Sequence, residues 1–147
     1  MKVLVQRVLR ASVDVDGRCV GSVGCGLLLF VGFRKGDDSA GVERLAEKAV
    51  NLRIFEGGDG RLAHSVVDVD GEVLAVPQFT LYADTRRGRR PDFICAMPPD
   101  EASRMFDEYV FALAKRLGKP VSTGVFGANM TVSLVNDGPF TIMLTHP

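Results

Sequence analysis

The residues that most often carry enzyme chemistry are scarce in this chain. Two histidines, His64 and His146, and three cysteines, Cys19, Cys25 and Cys95, occur in 147 residues. Neither histidine stands at metal-ligand spacing from a cysteine or from the other histidine, so no metal site is expected. An odd number of cysteines without framework spacing argues against a disulfide scaffold and for a reducing compartment, with the cytoplasm as the default. Cys19 and Cys25 fall in strand-like sequence and are expected as small core residues, and Cys95 falls in a loop. There is no Gly-x-Ser-x-Gly elbow, no Walker loop, and no Gly-x-Gly-x-x-Gly after a strand. Met1 to Arg10 alternates and carries charge throughout, unlike the apolar stretch of a secretory signal. The longest apolar run, Leu27 to Phe33, is too short to span a bilayer, so no membrane partner is expected. Net charge is zero, 18 basic against 18 acidic residues, so any attraction for nucleic acid must be local.

What remains is an ordinary globular composition, 46% hydrophobic and 24% charged, and a length that suits one domain over residues 1–147. Lys2 to Leu9 reads as a strand. Ser12 to Val23 alternates around Asp16-Gly17, a strong hairpin signal. The continuous run Gly26 to Phe33 suits a central strand buried on both faces. After Gly36-Asp-Asp-Ser39, a capping sequence, Val42, Leu45, Ala46, Ala49 and Val50 recur at helical spacing. Leu52 to Phe55 reads as a short strand. Leu62 to Val69 and Glu72 to Thr80 read as a second hairpin across Asp70-Gly71. A second helix carries Ala102, Met105, Phe106, Tyr109, Val110, Leu113 and Leu117 and stops at Gly118. Val121 to Phe126, Met130 to Asn136 and Phe140 to Leu144 complete the strands. Hairpin-linked strands with two main helices predict an α+β fold with a mostly antiparallel, barrel-like sheet.

One stretch combines a strand with concentrated charge. Val76-Pro-Gln-Phe-Thr-Leu-Tyr-Ala-Asp84 leads into Thr85-Arg-Arg-Gly-Arg-Arg90, four arginines in five positions. On a strand, Gln78 and Thr80 share one face. Beside Arg86, Arg87, Arg89 and Arg90 they suit a substrate bearing phosphate; the ordinary alternative is a half-exposed strand and a solvated loop. A site limited to hydroxyls, an amide and backbone N–H groups suits an already activated substrate such as an ester. A second stretch, Asn136-Asp-Gly-Pro-Phe-Thr141, is a turn on any reading.

Residues 77–91 and 136–141 together closely resemble the two signature motifs of the D-aminoacyl-tRNA deacylases. Gln6-Arg-Val8, Ala11-Ser-Val13, Ala46 to Phe55 and Thr123 to Met130 extend the likeness over the whole chain. The resemblance implies hydrolysis of the ester of D-aminoacyl-tRNA, and of glycyl-tRNA, by a homodimer with active sites at the subunit interface and no cofactor. It gives Gln78, Phe79 and Thr80 to the adenosine and ester pocket. Gly138 and Pro139 become a cis pair that enters the partner's site and excludes L-residues, which is discrimination by clash. Met130 falls on a pocket position, and Arg7 on the arginine that holds the glycine-proline pair. Two catalytic schemes stay open: Thr80 as nucleophile, or the substrate's ribose 2′-hydroxyl assisting water while the N–H groups of Phe79 and Thr80 orient the ester. The absence of a base near Thr80 favours the second.

One position departs from the pattern: Pro77 stands where the motif usually opens with serine, removing a donor and a hydroxyl. A sister branch that edits L-alanine also carries proline there, although Phe79 and Asp137 to Thr141 look like the D-specific group. A sister-type deacylase acting on small or achiral residues, and a non-catalytic tRNA-binding module using the arginines, are therefore the alternatives.

Overall fold

A computed structural model describes residues 1–147. Its first strand, β1 (Lys2–Val15), turns at Asp16 and Gly17 into β2 (Arg18–Val23). Both turn residues have positive φ, 50° and 75°, the conformation that a two-residue hairpin matched to strand twist requires. β3 (Gly26–Gly32) returns antiparallel along the other half of β1, from Lys2 opposite Gly32 to Val8 opposite Gly26. β8 (Thr131–Thr145) covers the opposite edge of β1 along nearly its whole length.

β6 (Glu72–Pro77) lies parallel to β3, and β7 (Ser122–Thr123) lies parallel to β6. The sheet order is β2-β1-β3-β6-β7, with β8 on β1. Its ends approach each other: the Ser122 hydroxyl donates to the Ser22 carbonyl at 3.2 Å, so the sheet nearly closes. The α+β, barrel-like architecture is as expected, with antiparallel pairings on β1 and parallel ones on β6.

Two helices cover one face. α1 (Ser39–Asn51) starts at Asp38, whose carboxylate accepts from the Gly41 N–H at 2.9 Å. α2 (Pro99–Leu117) ends at Gly118 in the left-handed conformation, φ 74°, a position that glycine adopts without Cβ strain. Neither helix is long and apolar enough to cross a membrane. Alternate residues of the central strands feed opposite sides, as period-two geometry demands. Leu27, Leu29, Val73 and Ala75 join the helices in the main core. Leu28, Leu74 and Val76 point the other way, into a smaller cluster with Val8, Ala11 and Val13. Tyr109 is fully buried in the main core, and its hydroxyl has no hydrogen-bond partner.

Four local expectations are corrected. The hairpin across Asp70-Gly71 does not form: β5 (Leu62–His64) pairs instead with β4 (Phe55–Glu56), and β6 joins β3 in parallel. Val73 to Val76 is buried throughout, and a strand apolar on both faces belongs in the sheet interior. The strand expected to run through Thr80 stops at Pro77, and residues Phe79–Tyr82 form a 3₁₀ turn. The two last strands are one, β8, interrupted by a bulge. All three cysteines are exposed; Cys19 lies on outer strand β2 and Cys25 in the turn before β3.

Candidate active site

The end of β6 sets the site. Pro77 closes the ladder, the Gln78 N–H donates to the Val31 carbonyl at 2.7 Å, and the chain then coils into the 3₁₀ turn. Gln78 and Thr80 therefore do not share a strand face. The turn brings them together differently: the Gln78 amide donates to the Thr80 hydroxyl. The first N–H groups of a helical turn have no carbonyl partner within it, and no side chain caps this one. Phe79 and Thr80 thus present N–H groups at an exposed corner, and no acid or base is hydrogen-bonded to the Thr80 hydroxyl.

Two residues far from the motif seat the turn. The Lys2 ammonium donates to the Leu81 carbonyl at 3.1 Å and lies 4.7 Å from the centre of the Tyr82 ring. Gly32 lets the turn approach β3: a Cβ there would lie 2.8 Å from the Gln78 oxygen and 3.1 Å from the Leu81 Cβ. Burial, aided by the Asp37 carboxylate, pushes the Tyr82 phenol up to about 12, so Tyr82 stays neutral and acts by packing.

Beside the turn is an apolar cavity of about 470 Å³, lined by Pro77, Phe79, Phe93, Ile94, Met97 and Phe126, among others. Phe79 is 54% exposed and meets Phe93 edge-to-face, with ring centres 5.0 Å apart. Met130 is half-buried behind this wall. A Cβ on Gly124 would touch its sulfur at 2.7 Å and Pro77 at 3.6 Å, so Met130 and Pro77 flank the same glycine.

The arginine loop adjoins the cavity. Arg86 is bound to Asp84 by a forked ion pair with contacts of 2.6 to 3.0 Å. Those bonds, with a further one from the Arg86 N–H, hold the Asp84 carboxyl down at about 2. Arg86 is thus engaged in shaping the loop. Arg87, Arg89 and Arg90 are exposed and form no ion pair. No group of three or more His, Cys, Asp or Glu gathers that could hold a metal.

Asp137-Gly-Pro-Phe140 forms a bulge in β8. Register jumps from Asn136 opposite Val8 to Thr141 opposite Gln6, so four residues stand against Arg7 alone. The Gly138–Pro139 peptide is cis, and both residues are exposed. Arg7, only 5% exposed, grips the bulge. Its Nε reaches the Asp137 carbonyl at 3.2 Å and carboxylate at 2.9 Å, its guanidinium lies 4.3 Å from the Phe140 ring centre, and Nη1 donates to the Ile54 carbonyl. The Asn136 amide ties the base, donating to the carbonyls of Arg7 at 2.9 Å and Phe140 at 3.1 Å.

Within one chain the bulge and the turn do not meet. Gln78 is level with Val31, which faces Val3, whereas the bulge faces Arg7. Three strand spacings and four residues along β1 separate them by roughly 19 Å along the sheet surface.

Residues 4–145 match the family model described as D-Tyr-tRNA(Tyr) deacylase. The chain belongs to the D-aminoacyl-tRNA deacylases. Among its curated relatives, the D-aminoacyl-tRNA deacylase of Thermomicrobium roseum is 58% identical over 98% of this chain and 93% of its own length. That of Geotalea uraniireducens is 51% identical over 100% and 94%. A solved structure titled c-Myc DNA Unwinding Element Binding Protein superposes with a TM-score of 0.93 at 39% identity, covering 100% of this chain and 99% of that one. A probable eukaryotic D-amino acid tRNA deacylase, at 17% identity and a TM-score of 0.82, shares the fold over 97% of each chain.

Deacylases of this family are ester hydrolases, and the groups assembled here suit that chemistry: an amide, a hydroxyl and main-chain donors. Sequence reasoning missed Lys2 and Gly32, which seat the turn, and Phe93, Ile94 and Phe126, which wall the cavity. Phe126 falls within the family-like stretch Thr123 to Met130, while the others are signalled only by tertiary proximity. Asn136 stood inside a quoted motif, but its role as a staple depends on the register break, which no local pattern announces.

Proposed function

We propose that the chain removes D-amino acids, and glycine, from mischarged tRNA in the cytoplasm, working as a homodimer of one-domain subunits. The observation that carries this reading is the exposed turn of Gln78, Phe79 and Thr80, with unpartnered N–H groups, at the mouth of an apolar cavity beside free arginines. The cavity takes the terminal adenosine, its rim formed by Phe79 and backed by Met130. The ester carbonyl lies against the N–H groups of Phe79 and Thr80, which stabilise the developing oxyanion. Thr80 serves as a positioning hydroxyl, and the substrate's ribose 2′-hydroxyl assists the attacking water. Arg87, Arg89 and Arg90 contact tRNA phosphates; Arg86 holds the loop through Asp84.

Chirality is read by main chain. The bulge of Gly138 and Pro139, clamped by Arg7, enters the partner subunit's site and stands beside Cα of the bound aminoacyl group. A backbone wall there rejects an L side chain by clash and ignores what a D side chain is. The distance between bulge and turn within one chain supports a gate supplied by a second copy. Pro77, in the wall of the cavity, favours one second reading: a deacylase of small or achiral residues with relaxed handedness.

Deacylation of paired D- and L-alanyl-tRNA tests these readings. Rapid loss of the D-ester with retention of the L-ester is expected. Comparable loss of both supports the relaxed enzyme. Binding without any hydrolysis leaves only a tRNA-binding module.

A further inference from the structure

The arginine loop encloses a cavity of its own, about 460 Å³, distinct from the apolar one. Arg87 and Arg90 line it together with the Asp84–Arg86 pair, Asp92 and Cys95. Asp84 is paired with Arg86, whereas Asp92 accepts from the Ile94 N–H at 2.7 Å and keeps its negative charge. Arg87 and Arg90 form no ion pair, and with three arginines against two aspartates in its lining the cavity keeps a net positive charge. Ile94 belongs to the walls of both cavities and is 71% exposed, so it forms the rim between them. An apolar compartment lined by aromatic rings and a cationic one, with Ile94 on the rim between them, match the repeating chemistry of a nucleic-acid strand. One takes a base and the other takes the phosphate next to it.

We propose that the Arg87–Arg90 cavity is a subsite for the phosphodiester immediately 5′ to the terminal nucleotide, so that the substrate is held as at least a dinucleotide. The inference rests on the reading that the apolar cavity takes the terminal adenosine. It assigns the arginines a register: they hold one defined phosphate at the 3′ end, beside the ester. Guanidinium forks suit that task better than ammonium groups, because they can donate two parallel bonds to one phosphate.

The test compares two small esters, D-alanyl-adenosine and the D-alanyl ester of cytidylyl-(3′→5′)-adenosine, with D-alanyl-tRNA as the reference. Wild-type protein should show a kcat/KM roughly 10-fold or more higher for the dinucleotide, the advantage expected of charge-assisted bonds. In the double variant Arg87→Ala, Arg90→Ala the ratio of the two kcat/KM values should fall close to one. Rising salt should lower the same ratio in wild type. Equal kcat/KM for both esters in wild type overturns the proposal, as does a ratio the double variant leaves intact. Hydrolysis of tRNA with neither small ester cleaved also overturns it, by placing recognition elsewhere. Failure to hydrolyse D-alanyl-tRNA at all is a different result, which removes the functional reading itself.

Discussion

Replacing Arg7 by methionine removes the clamp on the Gly138–Pro139 bulge while keeping most of the buried stem. Four interactions disappear: the hydrogen bonds to the carbonyls of Asp137 and Ile54, the ion pair with Asp137, and the stacking of the guanidinium on the Phe140 ring. Hydrogen bonds from a charged donor contribute about 1.5–3 kcal/mol each. Removing a buried charge recovers part of that through its own desolvation cost. The Asp137 side chain is 37% exposed, so its carboxylate returns to water rather than staying buried and unpaired. The Ile54 carbonyl loses its Arg7 donor in the same step. The net loss is about 3 kcal/mol, which lowers Tm by roughly 6–12 °C in a chain of this size.

Stability alone does not test the role given to the clamp, so the same variant is assayed on D- and L-alanyl-tRNA. A loosened bulge should raise the rate on the L-ester while the D-ester is cleaved within a few-fold of wild type. Arg7→Lys retains the charge but presents a point donor in place of a fork. It can satisfy one carbonyl or the carboxylate, and should fall between the two proteins in both readouts. Two results would refute the reasoning. One is a methionine variant melting within about 2 °C of wild type; the other is a melting loss with the D-to-L ratio unchanged.

Three further outcomes follow from single contacts. Tyr109→Phe removes a buried hydroxyl that has no partner and should stabilise by roughly 1 kcal/mol, measured in urea; a loss would reveal a partner. Asp84 has its carboxyl depressed to about 2 by Arg86, so the pairing is fully present above the ordinary value of 3.8 and is lost as pH falls through about 2. Titration of that carboxyl by NMR should move up toward 3.8 in Arg86→Ala, and an unmoved midpoint would dismiss the fork as its cause. Gly32→Ala forces a Cβ against the Gln78 oxygen; kcat should fall more than tenfold as the turn shifts, whereas an unchanged kcat would show that the turn tolerates the displacement.

Local physics made much of the fold legible. The stripes Val42 to Val50 and Ala102 to Leu117 named both helices, and Asp16-Gly17 named its hairpin because only a few residues tolerate two successive positive φ angles. Leu27 to Phe33 announced a strand buried on both faces. The partner of Val73 to Val76 was not legible. That run is apolar throughout and suits an antiparallel or a parallel neighbour, and the choice depends on Leu27 to Val31 more than forty residues away. The break at Gln78 was hidden for the opposite reason: Phe79, Leu81 and Tyr82 are good strand formers, and tertiary seating by Gly32 and Lys2 overrides their preference. Cys19 and Cys25 look apolar by type, but an outer strand and a turn leave such residues in solvent.

The candidate site was legible only through the pairing of its two motifs, and the geometry explains why. Each motif is a place where regular structure stops: one where a parallel strand ends and coils, the other where a ladder skips four residues. Such breaks expose main-chain groups that a continuous strand would have consumed in pairing. A catalyst that must accept any side chain yet refuse one mirror form gains from this, because main-chain groups are the same whatever residue carries them. The cost is rigidity, since a backbone wall discriminates only if it cannot yield. On the proposed reading, that places the burden on the residues that brace each break: Arg7 and Asn136 under the bulge, Gly32 and Lys2 under the turn. Their contacts are long-range in sequence and charged or sterically tight, and so the positions that hold the bulge and the turn in place are dispersed along the chain rather than gathered in a motif.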